Sequence, residues 1–301
     1  MSYIVHKAVE PSNLSAKALK AVAGQDRILS PKYDGCHGVF LFNAGVLAGV
    51  RSRDDKPVRS LQHIADSLPN YYPWLNEGQH AICGEVWVPG QDFEDISGAF
   101  RRHTNQPHLR FVPFDWAQWR LDQPSGRPVL SNTATYEERM FKLDSVWGGW
   151  SLEGPVVRPS YRIIGGAEEQ IMALAVKEAK ALKAVGGYDG AMLALRSGTY
   201  TTGSGSGGEF MKVKPLMSET YTVIRTEPAI GDKTGKNTLA LVVLHKGKEQ
   251  KVSTGLLQAA IDDYVLNPGH IIGQRIEIEF MGITNGGMLR EPRYKGIRTD
   301  A

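Results

Sequence analysis

A lysine between two apolar runs is the first residue of this sequence that could do covalent chemistry. Lys32 stands in the segment SPKYDG, residues 30–35, after Ile28 and Leu29 and before the run Val39–Phe42. This pattern predicts a strand, a tight bend at Lys32 and a second strand. A deprotonated lysine amine is a nucleophile, but a pKa of about 10.4 keeps nearly all of it protonated at pH 7. Neighbouring cations would therefore have to lower the pKa of Lys32.

Two more lysines and two acids could complete such a site. Lys212 and Lys214 alternate along a predicted strand, so their side chains lie on one face. That face would be open and meet an anion; an exposed edge strand with a solubilising lysine pair is the alternative. Glu85 and Asp189 lie on otherwise apolar predicted strands. Taken singly, each acid is typical of a side chain that contacts solvent at the end of a strand. Together the two acids could bind a hard divalent cation such as Mg²⁺.

The composition is that of a folded protein without a disulfide framework. A length of 301 residues suits two domains, and a hydrophobic share of 42% predicts a well-packed core. The two cysteines, Cys36 and Cys83, indicate a reducing, intracellular setting. The net charge of +3 permits a polyanionic partner without requiring one. We expect neither a signal peptide nor a membrane span, since no segment approaches about 20 apolar residues.

The predicted elements place these residues in an α+β fold of two domains. Helices are predicted in the first domain at 13–22, 61–68, 93–102, 135–146 and 167–185, between short strands. Residues 120–132 are rich in Pro, Gly and Ser and predict a surface loop. Beyond Pro215, short strands with one helix at 256–265 predict a small β-barrel. The glycines of segment 228–237 are one residue short of P-loop spacing, which favours a hairpin turn.

Six short motifs, taken in order, resemble those of the covalent nucleotidyltransferases. They are Lys32-Tyr33-Asp34-Gly35, Ser52-Arg53, Gly84-Glu85, Phe114-Asp115, Asp189-Gly190 and Lys212-Val213-Lys214. This superfamily comprises ATP-dependent DNA ligases, RNA ligases and mRNA capping enzymes. From about residue 28 to its end, the sequence is most similar to small viral ATP-dependent DNA ligases of the Chlorella virus and T7 phage type. The segments 30–32, 52–59 and 290–298 add to the likeness.

The resemblance implies an adenylyltransferase domain of antiparallel sheets packed with helices, residues 1–215, followed by a C-terminal OB-fold barrel, residues 216–301. It implies ATP-dependent sealing of nicked duplex DNA, with Mg²⁺ or Mn²⁺, in DNA repair, replication or recombination. Lys32 would attack the α-phosphate of ATP and form lysyl-AMP. AMP would pass to the 5′-phosphate of the nick, and the 3′-hydroxyl would displace it. We expect a monomer in the cytoplasm, or in the host cytoplasm if the protein is viral.

The resemblance also implies a role for each motif residue. Phe114 would stack on adenine, Glu85 would contact the ribose or the metal, and Asp189 would bind the metal. Lys212, Lys214 and the metal would neutralise phosphate charge and lower the pKa of Lys32. The other nucleotide-binding residues would be Ser30, Pro31, Asp34, His37, Arg53, Arg290 and Arg298. Phosphates of the DNA would be bound by Arg51, Arg53, Arg59, Arg101, Arg102, Lys233 and Lys236.

The sequence departs from the family pattern at several positions. His37 stands where arginine is usual. If a phosphate kept His37 protonated, sealing would weaken as the pH rises; a neutral, hydrogen-bonding histidine is the alternative. Asp189 replaces the usual glutamate, and Ala194 stands where a cation commonly ends that motif. The segment 228–237 is too short to encircle DNA, so the two domains themselves would have to bind it.

Two other functions compete with DNA ligation. An RNA ligase or capping enzyme is disfavoured by the basic segment 290–298, which is typical of DNA ligases in this superfamily. A non-catalytic nucleic-acid-binding barrel protein with a decayed nucleotide pocket is disfavoured by the presence of Lys32, Glu85, Lys212 and Lys214.

Overall fold

Antiparallel sheets with helices packed against them form the described part of the chain, which comprises residues 5–145, 154–204, 207–232 and 234–298 of a computed structural model. Its helices are α1 (Ala16–Val22), α2 (Gln62–Tyr71), α3 (Phe93–Phe100), α4 (Tyr136–Asp144), α5 (Glu168–Val185) and α6 (Gln258–Leu266). Its strands are β1 (His6–Lys7), β2 (Arg27–Tyr33), β3 (Cys36–Asn43), β4 (Val46–Ser52), β5 (Gln79–Trp87), β6 (Arg110–Leu121), β7 (Pro128–Ser131), β8 (Arg162–Ile164), β9 (Tyr188–Leu195), β10 (Gly203–Ser204), β11 (Phe210–Val213), β12 (Met217–Ile230), β13 (Asn237–His245), β14 (Lys248–Val252), β15 (Arg275–Phe280) and β16 (Arg293–Ile297). The α+β class predicted from the sequence is confirmed.

Contacts between Cα atoms divide the chain into two units, Met1–Lys214 and Pro215–Ala301. The buried residues of the second unit form a hydrophobic cluster of their own. Among the described residues, no helix has the length and apolar character needed to cross a membrane.

The larger sheet of the first unit is buried on both faces. Its strands follow the order β4-β3-β5-β6-β7, and all neighbours are antiparallel. Along β3, Phe40 and Phe42 belong to one hydrophobic cluster, whereas Val39 and Leu41 belong to another. Successive strand residues point to opposite faces, so the unbroken apolar run is what a sheet covered on both sides requires.

A second sheet, in the order β11-β9-β2-β8, carries the lysines singled out in the sequence. Strand β2 pairs with β9 so that Lys32 lies opposite Gly190. Helix α5 covers one face of this sheet by burying Ile171, Ala175 and Ala179. Helix α5 thereby covers the apolar face of this sheet. The polar side chains of its strands must therefore lie away from α5.

Helix α4 is fixed at its start and fastened to the larger sheet near its end. Thr135 and Glu138 form a capping box, in which the Glu138 carboxylate accepts the Thr135 backbone N–H at 2.7 Å. Farther along, Lys142 places its Nζ 4.5 Å from the ring centre of Trp74 and 4.0 Å from that of Trp116. The two indole centres are 5.5 Å apart. Such cation–π contacts contribute about 0.5–1 kcal/mol each.

The second unit is one curled sheet in the order β14-β13-β12-β15-β16, with α6 between β14 and β15. The first part of β12 pairs with β15 and the later part with β13, with a register shift after Val223. The two edges of the sheet meet where Thr254 bridges Arg293, and the Tyr294 N–H donates to the Thr254 carbonyl at 2.8 Å. The sheet thus curls around a core that includes Ile276 and Phe280.

Several elements differ from the sequence-based predictions. Lys32 lies within β2 and not at the bend, because pairing with β9 continues to Tyr33. The segment predicted as the loop 120–132 is largely the β6–β7 hairpin, since Trp119 and Leu130 are buried opposite each other. The helix predicted from residue 13 begins at Ala16, and its capping Ser15 accepts the Ala18 N–H. The end predicted for α4, at residue 146, lies outside the described residues.

Candidate active site

Two neighbouring strands bring Lys32 and Asp189 into direct contact. Lys32 Nζ lies 2.7 Å from Asp189 Oδ2, and Lys214 Nζ lies 3.0 Å from the same oxygen. The Asp189 side chain is only 3% exposed. Gly190 makes the approach of Lys214 possible: it has φ +139°, and a Cβ there would lie 2.2 Å from the Val213 carbonyl oxygen. One buried carboxylate thus binds two ammonium groups.

The shared carboxylate favours the charged forms of its partners. Burial acts to lower the pKa of Lys32, but the charges of Asp189, Glu85 and Asp34 outweigh it, so the pKa is raised. Burial acts to raise the pKa of Asp189, but the charges of Lys32 and Lys214 outweigh it, so the pKa is lowered. The protein's own groups thus raise the pKa of Lys32, because an anion is in contact with its amine. Its lowering by Lys212, Lys214 and a bound metal together stays a prediction.

Glu85 and Asp189 form a donor set that fits a hard cation. Burial, helped by the charges of Asp34 and Asp189, raises the pKa of Glu85 to about 7. Asp189 Oδ1 is buried and has no hydrogen-bond partner. A carboxylate with a raised pKa and an orphaned carboxylate oxygen would both be stabilised by a divalent cation such as Mg²⁺. No three His, Cys, Asp or Glu residues in the described ranges form a ready-made metal cluster, so other oxygens would complete the coordination.

Lys212 contacts a different carboxylate. Its Nζ lies 3.6 Å from Glu10 Oε1, in a segment that joins the edge of β11. There the Val9 N–H donates to the Phe210 carbonyl, and the Lys212 N–H donates to the Val9 carbonyl. The two lysines expected on one face therefore have separate anionic partners, because Lys214 lies just past the end of β11. Glu10 was not found from the sequence, since no motif marks it.

Two residues of helix α4 bind the strand segment that carries Phe114. Tyr136 Oη donates to the Phe114 carbonyl at 3.0 Å. On the next residue, Asp115 accepts from Arg139 through both carboxylate oxygens, at 2.6 and 3.2 Å. The Arg139 and Asp115 side chains are 1% and 6% exposed. The sequence singles out Phe114 and Asp115, but the two residues of α4 that support them carry no motif of their own.

The His37 ring meets the edge of Phe114, with centroids 5.3 Å apart and planes at 74°. Burial, together with the nearby charge of Arg53, lowers the pKa of His37 to about 3. Its Nε2 is buried without a hydrogen-bond partner. His37 is thus neutral at pH 7. In the ligand-free protein the neutral alternative is favoured, because burial and the charge of Arg53 both disfavour the protonated ring. Protonation of His37 by a bound phosphate stays a prediction for the complex.

Arg53 stands on a tight turn that follows β4. The Arg53 turn, residues 52–56, is closed by the Ser52 N–H to the Lys56 carbonyl at 2.8 Å and by the Asp55 N–H to the Ser52 carbonyl at 3.0 Å. Ser52 Oγ also accepts the Lys56 N–H at 3.2 Å. The Arg53 side chain is 52% exposed at the tip. This turn offers one guanidinium to a ligand.

The other predicted site residues of the first unit lie on or just after β2, on β4, or on the surface. Ser30 and Pro31 precede Lys32 on β2 and pair with β9. Arg59, Arg101 and Arg102 are exposed. Arg51 is partly buried, with its Nε 4.0 Å from Asp55 Oδ1. Asp34 follows β2, and its N–H donates to the Gly187 carbonyl.

The remaining predicted residues belong to the second unit. Arg298 is exposed, with its Nη1 3.7 Å from Glu277 Oε2. The Arg290 N–H donates to the Gly282 carbonyl. Lys236 is exposed on the β12–β13 turn, whereas Lys233 lies outside the described residues. That turn is the predicted hairpin and not a P-loop.

Comparison with known proteins gives structural matches alone. No family model matches the sequence, and no curated protein is similar to it. The solved structure Pmar-Lig_Pre superposes with a TM-score of 0.78 at 18% identity, over 99% of this chain and 68% of that one. A Lig E DNA ligase, described as binding DNA with a minimal scaffold, gives 0.67 at 17% identity over 97% and 99%. The ATP complex of the bacteriophage T7 ATP-dependent DNA ligase gives 0.50 at 19% identity over 98% of both chains.

Proposed function

Because the chain has the fold of ATP-dependent DNA ligases, we propose that it seals nicks in duplex DNA with ATP through a lysyl-AMP intermediate. One observation carries the proposal: Lys32 and Lys214 converge on the buried Asp189 carboxylate. These are the positions at which the motif series has its nucleophile, a phosphate-binding lysine and a metal ligand. Residues 1–215 would be the nucleotidyltransferase domain. Residues 216–301 would be an OB-fold, which the curled five-stranded sheet with one helix supports.

The first step needs a neutral Lys32 amine opposite the α-phosphate. Asp189 and Glu85 would hold Mg²⁺, which when bound supplies positive charge beside the phosphates and weakens the hold of these carboxylates on the Lys32 proton. Lys214 contributes a fixed cation next to the nucleophile, so phosphate oxygens meet positive charge as Lys32 approaches. Attack by the Lys32 nitrogen forms the P–N bond of lysyl-AMP and releases pyrophosphate.

The adenine and the DNA would be bound by other groups of the first unit. Phe114 would stack on the base, and Tyr136 and the Asp115–Arg139 pair hold the strand backbone from which its ring projects. The neutral His37 at its edge is suited to hydrogen bonding and not to ion pairing. Arg53 and the exposed Arg59, Arg101 and Arg102 would contact phosphates without reading sequence.

Labelling with ATP tests the proposal. Incubation with α-labelled ATP and Mg²⁺ should give a covalently labelled protein, and EDTA should abolish the label. Lys32→Ala should give no label, whereas Lys20→Ala, which changes an exposed lysine of α1, should label like the wild type. A label that persists in Lys32→Ala would contradict the lysyl-AMP intermediate.

The substrate is decided by offering nucleic acids side by side. We expect nicked duplex DNA to be sealed faster than nicked RNA–DNA hybrids, and we expect no transfer of a nucleotide to the 5′ end of a cap-acceptor RNA. Preferential sealing of RNA would identify an RNA ligase. Nucleotide transfer to the RNA end would identify a capping enzyme.

A further inference from the structure

The Arg53 turn is tied to a distant hairpin by one ion pair. Asp55 Oδ2 accepts from Arg127 Nε at 2.9 Å, and the two residues are 72 positions apart. Arg127 ends the turn between β6 and β7, where its carbonyl accepts the Asp122 N–H at 2.9 Å. The Asp55 side chain is 12% exposed, although it belongs to a surface turn. The contact between the two hairpins is therefore the shorter of the two ion pairs of Asp55, since the local Arg51 Nε lies 4.0 Å from Asp55 Oδ1.

Asp55 also has an unusual backbone conformation. Its φ is +64°, in the left-handed region that costs most residues about 1 kcal/mol and aspartate somewhat less. Its N–H closes the Arg53 turn on the Ser52 carbonyl. A mostly buried carboxylate needs a partner, and the Arg127 guanidinium is bound to it directly. The ion pair thus holds the side chain of Asp55, and the hydrogen bond holds its backbone.

We propose that Asp55 and Arg127 are positioning residues, which hold the Arg53 turn so that the Arg53 guanidinium meets a backbone phosphate of the nicked DNA. This inference rests on the proposed function. Arg53 precedes Asp55 by two residues and its side chain is half exposed, with its Nε 3.8 Å from the exposed Asp54 Oδ1. A DNA phosphate would bind the exposed part of the guanidinium beside that carboxylate. A guanidinium gains most from a phosphate when its direction is fixed beforehand, because less side-chain and backbone freedom is then lost on binding.

Arg127 is itself 42% exposed, so direct contact between Arg127 and DNA is the competing explanation. The two explanations differ in what Asp55 does. If Arg127 acts through the turn, removing the charge of Asp55 should weaken DNA binding as much as removing Arg127. If Arg127 contacts a phosphate, removing the acid beside it should leave binding unchanged or strengthen it.

The experiment compares steady-state sealing of nicked duplex DNA by the full chain and its variants. Arg127→Ala and Asp55→Asn should each raise the KM for nicked DNA about tenfold, the loss expected when one charge-assisted contact is poorly placed. The kcat at saturating DNA should change less than twofold. Arg120→Ala is the matched control, because Arg120 is an exposed arginine of the same hairpin; its KM should equal that of the wild type.

Two further variants keep the test decisive. Asp55→Gly removes the ion pair but allows positive φ without strain, so it should raise the KM even if Asp55→Asn folds poorly. In an Arg53→Ala background, Arg127→Ala should add less than a twofold effect, because the contact that it positions is already gone. Additive losses in that background would overturn the proposal.

The remaining outcomes also discriminate. A raised KM in Arg127→Ala with a normal KM in both Asp55 variants would show direct contact by Arg127 and overturn the positioning role. Normal KM values in all variants of an active wild type would overturn this inference alone. A wild type that forms no lysyl-AMP would overturn the proposed function, and this inference with it.

Discussion

At the scale of single residues, Asp189 sets the electrostatics of the site. Its Oδ2 binds two ammonium groups while its Oδ1 has no partner. The charges of Glu85 and Asp34 also act on Lys32, so the two ammonium groups lie among several acids. The same arrangement raises the pKa of Lys32. If Lys32 is the nucleophile, as we propose, its amine would become reactive only when a ligand changes its surroundings.

His37 is expected to contribute nothing to the pH dependence of sealing. Its pKa of about 3 lies far below the working range, so it is neutral throughout pH 5.5–8.5. The pH profiles of the wild type and His37→Asn should therefore have the same shape, measured as the sealing rate at saturating DNA. His37→Arg should lower the free energy of unfolding by about 2 kcal/mol relative to His37→Asn, because it puts a second cation beside Arg53 in a half-buried position.

A pH profile that shifts in His37→Asn would contradict this assignment. So would a His37→Arg variant as stable as His37→Asn in urea, since the arginine would then have found an anionic partner.

Glu85 is expected to make the protein less stable as the pH rises from about 4.5 to about 7. Its pKa is raised to about 7 in the folded state from 4.5. The folded state therefore holds the proton more tightly than the unfolded state, and the stabilisation present below pH 4.5 is lost as the pH rises through 7. The shift corresponds to at most about 3 kcal/mol. Glu85→Gln should remove this loss.

The measurement is the free energy of unfolding in urea at pH 5 and pH 8, without divalent cations. The stability of Glu85→Gln relative to the wild type should increase between these two values. A difference that does not change with pH would show that Glu85 ionises normally in the folded protein.

At the scale of elements, α4 acts as a support for β6. Its capping box, the Lys142 contact with Trp74 and Trp116, and the Arg139–Asp115 pair fasten three successive parts of the helix. Phe114 lies on the strand segment so held. The rigidity of the proposed adenine platform therefore comes from a helix that contains none of the sequence motifs.

Breaking the Arg139–Asp115 pair is expected to be costly. Arg139→Met should lower the free energy of unfolding by roughly 3–5 kcal/mol, because it leaves Asp115 charged, buried and unpaired. Asp115→Asn combined with Arg139→Met should recover part of the loss, since no buried charge then remains. Urea denaturation of both variants checks this. A double variant less stable than Arg139→Met would mean that the pair matters for more than charge balance.

The sequence predicts the elements better than the contacts between them. Apolar alternation and turn residues place most strands and all six helices of the described residues within a few positions. The basic segment 290–298 contains strand β16, which its charged side chains conceal in the sequence although Tyr294 packs against the core. The bend was placed at Lys32 because nothing local reveals that β2 continues its pairing with a strand more than 150 residues away.

In the candidate site, too, the sequence identifies the motif residues but not the residues that contact them. Lys32, Asp189, Lys214 and Phe114 belong to ordered motifs, so the resemblance names them. The partners Glu10, Tyr136, Arg139 and Arg127 are single residues at distant positions, and only the folded chain brings them near. The sequence does not predict charge states either, because the pKa of Lys32 depends on which of its neighbours is nearest in space.

At the scale of the whole molecule, the chain consists of two units with separate cores. The buried residues of the cluster around Val223, Leu241 and Phe280 all lie beyond residue 214. The other three clusters lie entirely before residue 215. Among the described residues, each hydrophobic cluster therefore draws its members from one unit.

A fragment of residues 1–214 is therefore expected to fold without the second unit. Calorimetry should give a single cooperative transition for the fragment, and circular dichroism should retain its strand and helix signals. Nick sealing should be lost, because the resemblance assigns Arg290 and Arg298 to the reaction. An unfolded fragment would contradict the independence of the first core, and full sealing by the fragment would remove the second unit from the mechanism.

DNA binding is expected to fall steeply with salt. Phosphate contacts release counterions, with a slope of about −0.9 per phosphate in a plot of log affinity against log salt. Four contacts would give a slope of about −3.6 for nicked duplex measured by fluorescence anisotropy. Arg59→Ala, which removes an exposed cation, should reduce the slope by about one. A flat response would rule out a phosphate-based interface.

The contact of Lys142 with Trp74 and Trp116 also has a spectroscopic consequence. Indole rings 5.5 Å apart couple when they absorb light, and an ammonium group within 4.5 Å changes the energy of their excited states. Near-ultraviolet circular dichroism and tryptophan emission should therefore report whether α4 is seated on its sheet. The unlabelled protein carries its own optical probe of the helix that supports Phe114.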